Sequence, residues 1–304
     1  MNWFFFAVIG HLANGVAFII DKILLRTAFS RAATYAGLVG ILSIVVFFAA
    51  PWVQHWPQGL TWLLAITSGA MFVLALWSFF AALARAEASR IVPIVGSLIP
   101  ILTLAGAFTF LGERLTDKTF VGFALLILAT IILSRGGNGR PTRTAVWLAV
   151  TSAFLFAISS VTGKAAYDAA GFLGAFVTSR LAAAGMAFLL LAFIDPRAGR
   201  EVLQILQPKR SASSQQRSAS TAWLAMFGQG LGAVGFLFVQ WATAQGSASV
   251  VNAMQAIQYS LLVLVAFALR HRSPHLLGET FTRNVVVMKT LALALAAAGM
   301  FLVV

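Results

Sequence analysis

The sequence predicts an all-α polytopic membrane protein, ten transmembrane helices arranged as two inverted five-helix repeats. Three observations carry that reading. Of the 304 residues, 60% are hydrophobic and only 10% are charged, with a mean hydropathy of +0.92; a soluble chain is roughly a quarter charged. The apolar residues gather in blocks of about 18 to 25, and a bilayer core about 30 Å thick takes roughly 20 helical residues to cross. Backbone groups in lipid must be satisfied internally, which makes each block a helix. Finally, a Gly/Pro/Arg breaker, RGGNGRPTR at 135–143, divides the blocks into two sets of five.

In chain order the spans fall at 3–25, 35–52, 60–84, 88–111, 119–134, 145–164, 172–194, 222–243, 248–269 and 285–304. The opening MNWFFF lacks the basic n-region of a cleaved signal peptide, so the first block is expected to remain as a span. Residues 1–134 form the first repeat, 135–144 the linker and 145–304 the second repeat. The second repeat carries a Ser/Gln/Arg-rich flexible loop at about 195–221, with a short surface helix expected at 201–206.

The two halves match in places. AFIIDKILL, which ends span one, aligns with ISSVTGKAA in span six and sets Lys22 near Lys164. ARAEASRIVPIVGSLIP at 84–100 aligns with TAQGSASVVNAMQAIQY at 243–259, a constant offset of 159. An odd number of spans per half inverts the second half in the membrane. Inverted repeats about a midplane site are the architecture of many secondary transporters.

Charge sets the orientation. The net charge of +13 comes from basic residues gathered between spans, with no soluble basic domain to engage nucleic acid. Sixteen Lys and Arg residues fall in the odd-numbered connections, against Arg114, Lys118 and Lys164 on the other side. The first set therefore faces the cytoplasm and both termini face outside, in a bacterial inner (plasma) membrane. No cysteine is present, which excludes disulfides and thiolate metal sites.

The small-residue turn into a Pro-bearing fourth span, followed by FLGERLTDKTFVGFALLILATIILS at 110–134, resembles the EamA-type branch of the drug/metabolite transporter superfamily. The motif residues are Gly112, Glu113 and Arg114; in the second half Gly278-Glu279 is followed by Thr280 instead of arginine. The resemblance implies a ten-helix carrier of small organic solutes, amino acids and their analogues among them. It implies no catalytic residue, metal or cofactor. Many ten-span relatives have cytoplasmic termini, opposite to the orientation that the charges here favour.

Polar residues deep in spans either hold helices together or line a cavity. His11 and Asn14 lie on span one, and Gln229 and Phe236 on span eight. Asn252, Gln255, Gln258 and Tyr259 share a broad face of span nine by i, i+3 and i+7 spacing. With Trp77 and Ser97, these residues would make a polar midplane cavity with apolar walls. His11 is either a packed neutral histidine or a site for a coupling proton. Arg180, well inside span seven, either anchors toward the outer interface or faces the carboxylate of a ligand. Pro93, Gly96 and Pro100 predict a bent, cavity-facing stretch of span four that flexes during alternating access. Glu113 reads as a turn residue, paired locally with Arg114. GLGAVG at 230–235 mimics a dinucleotide fingerprint but lies inside an apolar span without a preceding strand.

These readings predict a secondary transporter that exports a small organic metabolite by alternating access. Its partners would be the solute, the lipid bilayer and a coupling ion such as a proton. The alternative is a non-transporting or lipid-handling integral membrane protein.

Overall fold

Long apolar runs with few charges satisfy their backbone groups in lipid as helices, and the described residues are almost entirely helical. The computed structural model describes residues 2–28, 31–86, 88–133, 141–206, 215–269 and 283–303. Most of the linker, part of the loop after span seven, and Gly278, Glu279, His271 and His275 lie outside the described residues.

The elements in order are α1 (Asn2–Ala28), α2 (Ala32–Leu42) continued as a 3₁₀ segment (Ser43–Trp52), α3 (Gly59–Leu83), α4 (Ala88–Leu111), α5 (Asp117–Leu133) and α6 (Arg143–Ala170). Then follow α7 (Phe172–Leu189) with a π-helical end (Leu190–Ile194), α8 (Pro196–Leu206), α9 (Gln215–Gln245), α10 (Ala248–Ala253), α11 (Ala256–Leu269) and α12 (Arg283–Val303). Eight segments among the described residues are long and apolar enough to cross a bilayer. The two other expected spans coincide with α5 and α9. The 17 residues of α5 rise only about 25 Å, short of the core thickness, and α9 begins in the polar stretch QQRSAST.

The surface helix expected at 201–206 is longer than predicted and begins at Pro196. Asp195 caps it by accepting from the Ala198 N–H at 3.1 Å. Its Ala198 and Val202 are buried in a cluster with Ala33, Ala36 and Leu191, while Leu203 stays exposed.

Helix pairing is set by small residues. α3 packs along α6 and α7, α1 along α9 and α11, α4 along α6 and α10, and α5 along α12. At the α3–α7 crossing, a Cβ on Gly69 would stand 1.8 Å from the Ser179 carbonyl oxygen. Gly122 and Gly299 bring α5 and α12 together, each so close that an added Cβ would meet the other's carbonyl oxygen at 2.9 Å. Gly228 and Gly232 of α9 lie against Ile20 and Ala17 of α1, the helix-packing role of a small-residue pair rather than of a nucleotide loop. Polar clasps add to this packing. Ser68 donates to the Ser159 carbonyl and Ser159 to the Ser68 carbonyl, each at 2.8 Å.

A bend is expected in α4 at its prolines. α4 runs unbroken through Pro93 and Pro100. The interruption falls in span nine, at Met254 and Gln255 between α10 and α11, the positions matching Val95 and Gly96 at the offset of 159. There the chain tightens into i→i+3 bonds, with the Gln255 N–H donating to the Asn252 carbonyl at 3.2 Å and Ile257 N–H to Met254 at 2.9 Å.

Candidate functional site

Between α2 and α9 lies a cavity of about 850 Å³. Its walls are α1, α2 with its 3₁₀ continuation, α3, α7, α9 and Gln258 of α11. It reaches Arg31 at the start of α2 and Ala84 at the end of α3, the side of the basic connections. The lining is mainly aromatic and aliphatic, including Phe18, Phe72, Phe80 and Phe236, with a few polar groups: Asn14, Tyr35, Gln229 and Gln258. Gln229 donates to the Tyr35 hydroxyl at 2.9 Å, bridging α9 to α2.

A column of rings continues from the cavity wall at Phe236 and Phe176. Phe236 lies 6.4 Å from Phe176, Phe176 stacks on Phe172 at 5.1 Å, Phe172 meets Trp241 edge-on at 4.8 Å, and Trp241 contacts Phe6 at 6.5 Å. Beyond the column, Lys164 ties α6 to the end of α9 by donating to Asp168 at 2.8 Å and to the Ala244 carbonyl at 3.2 Å.

Arg180 sits where cavity and column meet. It is 4% exposed, and its guanidinium carbon lies 4.4 Å from the Phe236 ring centroid and 4.5 Å from that of Phe72. Phe176 is 6.0 Å away. Nε and Nη2 have no hydrogen-bond partner. The guanidinium is thus enclosed by rings instead of lying at the protein surface. The cost of the residue there is high. A mid-membrane arginine costs about 2.5–3.5 kcal/mol on insertion scales, and each buried donor left unmade adds about 1–3 kcal/mol. Close cation–π contacts return about 0.5–2 kcal/mol each, which is less than the combined cost. Packing alone would favour an apolar side chain here.

The cavity brings together Asn14, Arg180, Gln229, Phe236 and Gln258 from the residues singled out in the sequence. The others lie elsewhere. His11 Nε2 contacts the Val251 carbonyl oxygen at 2.8 Å, joining α1 to α10. Asn252 donates to Thr103 and to Ser160, both at 3.0 Å, joining α10 to α4 and α6. The Tyr259 ring covers Gly96, whose added Cβ would meet the hydroxyl oxygen at 2.4 Å. Trp77 packs with the α2–α7 cluster, Ser97 bonds the Ile94 carbonyl of its own helix at 3.4 Å, and Gln255 occupies the interruption in span nine. Sequence reasoning missed the aromatic cage residues Phe72 and Phe176, and also Tyr35; their type gives no contrast inside an apolar span.

Gly112 closes α4 with φ +66, a backbone conformation that favours glycine. Glu113 then crosses to the other half of the chain. Its carboxylate accepts from the Ser247 hydroxyl at 2.6 Å and also from Ser249. The expected local pairing with Arg114 is replaced by this bridge; Arg114 lies over the Phe108 ring at 5.9 Å.

Residues 1–135 match the model of the EamA-like transporter family. No curated protein matches the chain. A solved crystal structure of a protein aligns with a TM-score of 0.63 at 19% identity, over 99% of this chain and 94% of its own, a likeness of fold. The family match covers the first 135 of 304 residues, and the long apolar helices support an integral membrane protein.

Proposed function

We propose that this chain, EamA-like over residues 1–135, is a secondary carrier that exports a small organic solute by alternating access. The observation that carries the reading is the large cavity inside the helical bundle, which reaches Arg31 and Ala84 and has Phe236, Phe176 and the buried Arg180 in its lining.

The helix pairing supports ten crossings in two inverted repeats, 1–134 and 145–304. Exchanging the repeats turns the α1–α9 pair into the α6–α3 pair, and both are closely packed. It turns α4–α6 into α11–α1, again both packed. Among the pairs that the exchange does not reproduce, α3 and α7 are in close contact at Gly69, whereas the equivalent α9 and α2 flank the cavity and meet through the Gln229–Tyr35 hydrogen bond. That asymmetry is what one state of an alternating carrier requires. Closing α2 on α9 and parting α3 from α7 would give the other state.

The charge bias puts the basic connections in the cytoplasm of a bacterial cell and the termini outside. The cavity then opens inward, where an exporter loads. The driving force is the gradient of the solute or of an ion such as a proton.

The test is a panel of small organic solutes screened for thermal stabilisation of the purified chain, with Gln229→Leu as the control, followed by counterflow of each hit in proteoliposomes. A carrier gives solutes that stabilise the unaltered chain more than the variant and that exchange across the vesicle. Stabilisation without exchange would contradict transport.

A further inference from the structure

We propose that the solute is an organic anion with an apolar body, its carboxylate held by Arg180. The inference rests on the carrier reading and names the substrate class of the same cavity. Two charged side chains line the cavity among the described residues, Arg31 and Arg180. Arg31 at the mouth is paired with Asp195 at 3.5 Å. Arg180 at the floor has rings on its faces and no partner for Nε and Nη2. These two nitrogens form one edge of the planar guanidinium, the edge that receives both oxygens of a carboxylate. Rings on the faces leave that edge as the route by which the group can be satisfied.

The surroundings favour a net anion over a zwitterion or a cation. No described carboxylate lines the cavity; its other polar side chains are the neutral Asn14, Tyr35, Ser43, Gln229 and Gln258. An ammonium group would enter a cavity whose unpaired charge has its own sign. The phenyl rings of Phe18, Phe72, Phe80 and Phe236 match an aromatic or branched aliphatic body. The edge nitrogens are covered in this state, so the anion seats by moving the Arg180 side chain or one caging ring.

The experiment measures binding of four probes of one shape and different charge to the purified full chain: 3-phenylpropanoate, 3-phenylpropanamide, 3-phenylpropylammonium and L-phenylalanine. Arg180→Gln, Arg180→Lys and Arg31→Gln are run beside it. The expected result is that the propanoate binds at least about tenfold more tightly than the amide and the ammonium. Arg180→Gln should weaken the propanoate by about tenfold to a hundredfold and leave the amide unchanged. Arg180→Lys should keep part of the preference, and Arg31→Gln nearly all of it.

Equal binding of propanoate and amide, or tightest binding of the ammonium or of phenylalanine, would overturn the anion assignment and leave the carrier reading standing. If no probe binds and a cysteine in the cavity is beyond reach of polar reagents from both sides, the carrier reading itself falls. Should Arg180→Gln fail to fold, the charge series on the unaltered chain decides.

Discussion

Glu113, just past the end of α4, accepts a hydrogen bond from Ser247 at 2.6 Å, across the two halves of the chain. Ser247 also caps α10 by accepting from the Val250 N–H at 3.1 Å. One carboxylate thus joins the end of a helix in the first half to the start of a helix in the second. The joint stands at the opposite end of α4 from Ala84, which reaches the cavity.

Glu113→Gln weakens this joint, because a neutral amide replaces a charge that accepts from two hydroxyls. The expected loss of stability is about 1–3 kcal/mol, read by thermal unfolding in detergent. Ser249→Ala should cost less, since Ser247 remains. An unchanged unfolding temperature for Glu113→Gln would return the residue to a purely local turn role.

Gly69→Ala places a methyl group where Ser179 already presents its carbonyl oxygen, at 1.8 Å. The helices must part, at about 1–3 kcal/mol or more. Gly185→Ala on α7 is the control, because nothing lies within 4 Å of the added Cβ. It should be neutral or slightly stabilising in the same unfolding assay. Equal effects of the two substitutions would mean that α3 and α7 do not cross so closely.

A double-mutant cycle on Ser68→Ala and Ser159→Ala tests the clasp between α3 and α6. Hydrogen bonds between membrane helices average about 0.6 kcal/mol and reach about 1.7. Two reciprocal bonds should give a coupling near the upper end of that range. Strict additivity of the two substitutions would contradict the geometry.

Much of the helical plan was legible in the sequence because bilayer thickness fixes the length of a span. The finer geometry was less so. Residues 252, 255, 258 and 259 share a face by spacing, yet only Gln258 reaches the cavity. Asn252 lies before the interruption at Met254 and Gln255, and Gln258 lies after it, so the even spacing does not carry across; Tyr259, one residue on from Gln258, covers Gly96 instead. Asn14, Gln229 and Arg180 stood out by polarity, whereas Phe72 and Phe80 line the same cavity unmarked among apolar neighbours. Glu113 was visible as a motif residue, but its partners Ser247 and Ser249 are more than 130 positions away. Such a pairing follows from how the two halves meet, which spacing alone does not encode. Pro93 and Pro100 lie within a continuous α4, and the interruption falls instead in span nine, between the matching positions.

The most direct test of a one-sided transport cavity uses the absence of native cysteine. A single cysteine at Ala233, on the cavity wall, is exposed to a membrane-impermeant maleimide from each side of sealed vesicles. The carrier predicts labelling from the side of Arg31 and Ala84, slowed by a bound solute. Labelling from neither side, or at equal speed from both at once, would contradict it.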